Sequence, residues 1–526
     1  MNAPTRVPNM QNSAIFPLII LLLSIMLNGC STNPVTGKSE LSLVSAEQEV
    51  AIGNKQYSPT RQLQGGDYVV DKSIQKYVAS IGNKLAAVSD RKLPYEFRVV
   101  NDSTPNAWAL PGGKIAINRG LLTELGSESE LAAVLGHEIV HAAAKHSAKK
   151  LQRGLLLQGA LIASSIALSD NEYRNLALAG AQVGANLINQ KYGRDAEREA
   201  DHYGMRYMAK AGYDPAKAIA LQKTFLRLSK ARQSNWLSGL FASHPPSEER
   251  VQNNTQTLSE LGYPQGEVGK TRYQQKIARL IKSKQAYAAY DKSHKKLKNK
   301  KYTEALQLVN QAIKQEPQEA LFHGLKGEIR SEQGHASKAR INFDRAIALN
   351  PDYFKFYLTR GFTHRDQGNY QLAANDFKKS NQLLPTTEAH YGLGWLAMKK
   401  GDNTNAVNYF RKAANTKTDV GKTASYYLAK LDLPNNPGRY IKTGLILNEN
   451  GYLYVNVQNA SSVQVSGIRV VIGRRSGFGL REDATFRLRK SLASGEKVTI
   501  NTGLGPLNVK QARNFATAIT DARVNQ

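Results

Sequence analysis

The spacing of apolar residues changes several times along this chain, and each change marks a boundary. Over residues 127–146, "SESELAAVLGHEIVHAAAKH", the sequence is rich in Ala and Leu and contains no proline. It opens on Ser127 with Glu130 three residues later, the spacing of a capping box, so it predicts a capped helix. Residues 155–168, "LLLQGALIASSIAL", and 176–188, "LALAGAQVGANLI", are almost wholly apolar. The first is too short for a comfortable bilayer span, and the second is interrupted by Gly180, Gly184 and Asn186. They are expected as core helices, or as helices that cover a site or touch lipid.

Near residue 270 the pattern turns basic. Lys or Arg occupies twelve positions between Lys270 and Lys301 against one acid, Asp291, which predicts a helical connector with a solvated face. A repeat then begins. Pro317, Pro351 and Pro385 are 34 residues apart, as are Ala305, Ala339 and Ala373. Gly327 and Gly361 keep that period, as do Gly334 and Gly368, and Ala406 with Phe410 continues it one residue short. A 34-residue helix-turn-helix period with small residues at the packing points resembles tetratricopeptide repeats. Four units are expected over about 285–418, the first divergent, and such arrays offer a concave surface to peptides or partner proteins. Beyond "NNPG" (435–438) come short strand-like runs, "GYLYVNVQN", "GIRVVIG", "TFRLRKSL" and "KVTINTG", which predict a small all-β sandwich.

The N-terminus bears on the compartment. Arg6 precedes the apolar run "AIFPLIILLLSIML" (14–27), which suits the core of a signal peptide. Cys30, the only cysteine, follows "LNG" directly. This resembles a bacterial lipobox, whose cysteine becomes the lipid-bearing first residue; Ser31 after it implies the outer membrane. An acylated Cys30 leaves no thiol for disulfides, so packing must hold the fold. The chain has 71 Lys+Arg against 42 Asp+Glu, a net charge of +29. Outside the cytoplasm that charge suits anionic lipid headgroups or cell-wall polymer, and nucleic acid is not an expected partner.

The candidate chemistry lies in "LGHEIVHAAAKH" (135–146). His137 and His141 are four residues apart and share one helix face. Glu138 sits ~100° around from His137, placed for a metal-bound water rather than the metal, which is the zincin arrangement. His146 falls nine residues after His137, on roughly the opposite face, and is expected at the surface. Downstream, "RDAEREADHYG" (194–204) carries two i,i+4 carboxylate pairs, Asp195 with Glu199 and Glu197 with Asp201. Either pair could supply a third ligand and a carboxylate that orients a ligating histidine, and spacing alone does not separate them.

HExxH followed some 55 residues later by E-x-x-A-D resembles the gluzincin family that includes the CAAX-prenyl endopeptidases, the HtpX heat-shock proteases and the β-barrel assembly-enhancing proteases. "NAWALPGGKIAIN" (106–118), "SHPPSEER" (243–250) and "NPVTGKSELSLVSAEQEVAIG" (33–53) are similar to further segments of that family. The resemblance implies an α+β zincin metalloprotease domain holding one zinc per chain. It implies His137, His141 and Glu197 as ligands, Glu138 as the base, and Asp201 as the carboxylate orienting a ligand. It makes 106–118 a β-hairpin around "PGG" whose edge strand, with Asn106 and Ala107, binds extended substrate; packing is the plain alternative for Asn106 and Trp108. It also places the segment of His244 near the cleft, where a neutral imidazole would serve as a regulatory fourth ligand or as an oxyanion donor; a loop histidine stacked beside Pro245 and Pro246 is the plain alternative.

The expected organisation is a lipoprotein signal peptide (1–29), a zinc metallopeptidase domain (30–265), a basic connector with tetratricopeptide repeats (270–432) and a β-sandwich-like domain (437–526). The function expected is that of a zinc endopeptidase on the periplasmic face of the bacterial outer membrane, lipid-anchored there and degrading misfolded or stalled envelope polypeptides. The repeats would recruit substrates or the outer-membrane assembly machinery. The alternative is a repeat-based chaperone or scaffold whose protease domain is quiescent.

Overall fold

The computed structural model describes residues 30–41, 44–150, 152, 191–230, 238–476 and 479–525. The apolar runs 14–27, 155–168 and 176–188 lie outside the described residues. The chain divides into two compact units, one ending at Tyr353 and the other running from Phe354 to Gln526.

The first unit opens with a short antiparallel hairpin, β1 (Cys30–Thr32) with β2 (Ser39–Leu41), followed by α1 (Ala46–Leu63) and α2 (Lys72–Ala86). β3 (Glu96–Val100), β4 (Ala107–Leu110) and β5 (Lys114–Asn118) form a sheet in the order β3-β5-β4. β5 is central, parallel to β3 and antiparallel to β4, so the expected hairpin around "PGG" is present and β4 is an edge strand. Gly112 turns that hairpin at φ 75°, and a Cβ there would fall 2.6 Å from the Val50 Cα, so the turn requires glycine.

Helix α3 (Glu128–Ala143) carries the two histidines, and α4 (Arg194–Lys210) carries the carboxylate run. Ser127 caps α3 by accepting from the Glu130 amide. The Glu130 carboxylate, expected to return to Ser127, reaches one residue further and accepts from the Gly126 amide at 2.7 Å. α3 and α4 touch backbone to backbone, because Gly136 of one faces Gly204 of the other. α5 (Ala216–Lys230), α6 (Ser238–Ser243) and α7 (Glu248–Glu260) follow. Leu131, Leu135 and Ile139 of α3 are buried in one core with Ile81 of α2 and Ile115 of β5.

The basic connector is two helices, α8 (Lys270–Lys282) and α9 (Lys284–Lys298). It is more than a solvated face. Arg272 grips Glu128 at the start of α3 through two 2.6 Å hydrogen bonds. Tyr273 is buried, its hydroxyl donating to the Leu122 carbonyl at 2.7 Å. α9 then pairs with α10 (Tyr302–Gln315), and α11 (Ala320–Glu332) with α12 (Ala336–Leu349). The small residues of the 34-residue period sit where helices meet: Ala305 and Ala339 are fully buried, and a Cβ on Gly327 would lie 2.6 Å from the Phe343 ring.

The second unit continues with α13 (Phe354–Asp366), α14 (Tyr370–Leu383), α15 (Thr387–Lys399), α16 (Asn403–Ala413) and α17 (Asp419–Asp432). Gly361 makes way for Phe377 as Gly327 does for Phe343. Two three-stranded antiparallel sheets follow. One is ordered β10-β7-β6, from β6 (Ile441–Leu447), β7 (Leu453–Asn459) and β10 (Lys497–Asn501). The other is β11-β8-β9, from β8 (Val465–Ser476), β9 (Gly479–Arg487) and β11 (Phe515–Val524). They share a core that includes Val455, Val457, Val470 and Ile472. Among the described residues no helix is long and apolar enough to cross a membrane.

Candidate metal centre

Four side chains converge between α3, α4 and the segment after α6. His137 and His141 project from successive turns of α3, with their Nε2 atoms 3.0 Å apart. Glu197, one turn into α4, presents Oε1 at 3.4 Å from His141 Nε2 and Oε2 at 3.6 Å from His137 Nε2. His244 closes the group, with Nδ1 at 2.9 Å from Glu197 Oε1 and 3.2 Å from His137 Nε2. One ligand atom from each lies within 4.8 Å of every other.

The outer ring nitrogens explain what these atoms can bind. His137 Nδ1 lies 2.9 Å from Asp201 Oδ1, and His141 Nδ1 lies 2.8 Å from His146 Nδ1. With the ring protons held there, both Nε2 lone pairs face the same point alongside a carboxylate. Two imidazoles and a carboxylate around one point are a zinc-type donor set. Beside them Glu138 is buried, and its Oε2 has no hydrogen-bond partner among the described residues. Its other oxygen is 3.5 Å from His244 Nε2. A buried carboxylate oxygen left over beside such a donor set suits a base waiting for a water.

Electrostatics divide the roles. Burial pushes the Glu138 carboxyl above its ordinary range, with His244 and His137 opposing the shift only in part. Glu197 is held well below the carboxylate range: burial opposes ionisation, but His244 and His137 outweigh it. Burial drives His141 well below the usual histidine range, so its imidazole stays neutral. For His137 burial acts the same way, but Glu197 and Asp201 overcome it and the net shift is upward.

The structure separates the two carboxylate pairs. Glu197 enters the cluster and Asp201 backs His137, whereas Asp195 is exposed and Glu199 turns toward His146, 3.4 Å from its Nε2. Asn106, just before β4, and Ala107, its first residue, lie outside the cluster. Asn106 accepts from the Asn118 amide through its carbonyl, and Ala107 pairs with Ile117. Trp108 is packed, donating to Gln64 at 3.1 Å. Ser147 donates to the Ala109 carbonyl of β4 at 2.8 Å. Cys30 pairs its backbone with Leu41 at the start of the hairpin.

One expectation fails. His146 is only 5% exposed and touches His141. The helical extrapolation to the opposite face does not hold, because α3 ends at Ala143 and Lys145 adopts a positive φ of 59°. The chain turns there and carries His146 back toward the site. Sequence reasoning also missed Arg250, Tyr192 and Lys150. Arg250 binds both oxygens of Asp201 at 2.7 Å and meets Glu197 Oε2 at 2.9 Å, so one buried cation braces two carboxylates. It stands in the quoted "SHPPSEER", where a single arginine after two glutamates looks like an ordinary surface ion pair. The Tyr192 ring stacks on His141 at 3.8 Å, and Lys150, its pKa brought down to about 8 by burial, lies over that ring. No spacing in the sequence marks either.

Comparison with known proteins agrees with this geometry. Residues 72–257 match the profile of peptidase family M48, and residues 290–354 and 358–420 match that of the tetratricopeptide repeat. The chain is 30% identical to the β-barrel assembly-enhancing protease of Escherichia coli K12 over 232 residues, covering 43% of this chain and 46% of that protein. The Yersinia pestis protein of the same name is 25% identical over 350 residues, covering 61% and 70%. The mitochondrial metalloendopeptidase OMA1 of Schizosaccharomyces pombe is 35% identical over 188 residues, covering 35% and 53%. The chain spans about half the length of the E. coli relative. It carries a peptidase family M48 domain followed by tetratricopeptide repeats.

Proposed function

We propose that this protein is a zinc-dependent endopeptidase of the bacterial periplasm, tethered by lipid at Cys30 to the outer membrane, that degrades misfolded or stalled envelope proteins. The observation that carries the activity is the partnerless Glu138 oxygen beside a converged set of two imidazoles and a carboxylate. His137, His141 and Glu197 would hold the zinc. When bound, zinc supplies a Lewis acid that polarises a water and the peptide carbonyl. Glu138, its carboxyl raised by burial, takes the proton of the attacking water and returns it to the leaving amine. Asp201 keeps His137 in the tautomer that leaves Nε2 free, and Arg250 holds Asp201 and Glu197 in place.

Substrate would lie extended along the outer edge of β4 once that edge is uncovered, held by main-chain hydrogen bonds that read little sequence. That suits unfolded polypeptide. The names of the relatives, β-barrel assembly-enhancing proteases, support an envelope substrate, and the repeats would recruit it or the assembly machinery. His244 is proposed as a latch: its Nδ1 stands where a fourth ligand would, and Ser147 occupies the Ala109 carbonyl on the β4 edge.

Elemental analysis should find one zinc per chain, lost far more completely in Glu197→Ala than in Glu199→Ala. A chelator should stop cleavage of an unfolded polypeptide and added zinc restore it; cleavage that survives zinc removal sinks the proposal. Fatty-acid labelling of wild type but not Cys30→Ser tests the tether.

A further inference from the structure

The motif "NPVTG" (33–37), in the hairpin of β1 and β2, has no part in the chemistry above, yet its first residue is buried. Every polar atom of the Asn33 side chain is engaged. Oδ1 accepts from the Val35 amide at 2.9 Å and the Thr36 amide at 3.3 Å, folding the turn between β1 and β2. Nδ2 donates to Glu40 Oε1 at 3.3 Å, within the hairpin, and to Glu199 Oε1 at 3.2 Å, on α4. The hairpin is further held by Glu40 pairing with Lys149, and by Val35 in the main core.

Glu199 leads inward. The oxygen that accepts from Asn33 also faces His146 Nε2 at 3.4 Å, and His146 Nδ1 meets His141 Nδ1 at 2.8 Å. The protons have one consistent arrangement. If His141 uses Nε2 as a ligand atom, its ring proton is on Nδ1 and is donated to His146 Nδ1. The His146 proton is then on Nε2, facing the Glu199 carboxylate. The two histidines of α3 thus have matching supports: Asp201 acts on His137 directly, and Glu199 acts on His141 through His146.

We propose that Asn33, Glu199 and His146 are a positioning relay that fixes the tautomer and ring orientation of His141, making the N-terminal hairpin a structural part of the metal centre. This rests on the zinc site proposed above. The consequence is that the segment beginning at Cys30 influences metal affinity from three residues away. Outer partners of ligating histidines typically change metal affinity ~10–100-fold when removed. His146→Leu, which ends the relay at His141, should fall in that range, and Asn33→Ala, at its outer end, should lose severalfold.

The test is zinc affinity of the full chain by competition with a chromogenic chelator, together with the visible absorption of the cobalt-substituted protein. His146→Gln offers an acceptor toward His141 and a donor toward Glu199, so it should recover most of the affinity and the wild-type cobalt spectrum. If His146→Gln and His146→Leu lose equally, His146 only fills space and the relay is wrong. If Asn33→Ala binds zinc as tightly as wild type with an unchanged cobalt spectrum, the hairpin has no part in the site. Asn33→Ala leaves both histidines in place, so it decides the matter even if His146→Leu does not fold. Wild type that binds no zinc would refute the metal site itself; wild type that binds zinc alongside unaffected variants would refute only the relay.

Discussion

Gly136 and Gly204 face each other where the two helices of the metal centre cross. A Cβ on Gly136 would lie 3.2 Å from the Gly204 carbonyl oxygen, and one on Gly204 would lie 3.1 Å from the His137 amide nitrogen. The contact is backbone against backbone, with no flexible side chain to yield, and it sets how near Glu197 comes to the histidines. Alanine at Gly204 would gain ~0.5–1 kcal/mol of helix preference. It would cost ~1–3 kcal/mol of overpacking, so a net loss of about 1 kcal/mol, and at most about 2.5 kcal/mol, is expected. Zinc affinity should fall as well, since α4 is displaced from His137. Chemical denaturation of the metal-free protein and a zinc titration check the two effects separately.

Arg250 braces Asp201 and Glu197 with all three groups buried. Replacing it by leucine strands two carboxylates away from water. Breaking a buried pair in this way costs ~3–5 kcal/mol. Urea unfolding of metal-free Arg250→Leu should show a loss of that order. A loss below about 1 kcal/mol would mean that the carboxylates find other partners or take up protons.

Acid should loosen the attachment of the connector helices. Glu128, at the start of α3, accepts from Arg272 and from the Tyr77 hydroxyl at 2.8 Å. Burial opposes its ionisation, but the hydrogen bonds from Arg272 and Tyr77 outweigh it and hold its carboxyl below 4.5. A depressed carboxyl contributes fully above the unfolded value and loses that contribution as pH falls through the folded one. Stability should therefore drop below about pH 4.5 more steeply in wild type than in Glu128→Gln. Identical slopes in a pH series of denaturation midpoints would remove Glu128 from this role.

His244→Ala should raise basal proteolysis severalfold and leave zinc bound, because it withdraws a group that reaches both Glu197 and Glu138. Turnover on an unfolded polypeptide, read beside metal content, decides it. A loss of activity with zinc retained would instead favour a role in steadying the oxyanion.

What could be read in the sequence was whatever has a fixed period or spacing. The 34-residue repeat is legible because Ala305, Ala339, Gly327 and Gly361 sit at helix contacts that admit no larger side chain. The HExxH pair is legible because i and i+4 share a face, and the turn at "PGG" because Gly112 needs a positive φ. His146 was misplaced because the helix was extrapolated past its end: a two-residue break at Ala144 and Lys145 redirects the chain, and nothing in "AAAKHS" announces it. Arg250, 49 residues along the chain from Asp201, and Tyr192 reach the site only through tertiary packing, which leaves no local pattern. Strands β6 and β11 were missed for another reason. "IKTGLIL" has a glycine at its centre, and "FATAITDARV" lacks clear alternation because most of its residues are only half-buried.

The most direct test compares wild type with Glu138→Gln on an unfolded polypeptide, both loaded with zinc. Glutamine keeps the shape of Glu138 and cannot take a proton from water. Cleavage should fall by ~100-fold or more, the scale of a lost general base, while zinc content stays at one per chain. Equal cleavage by both proteins, at equal zinc content, would contradict the assignment of Glu138 and the peptidase chemistry built on it.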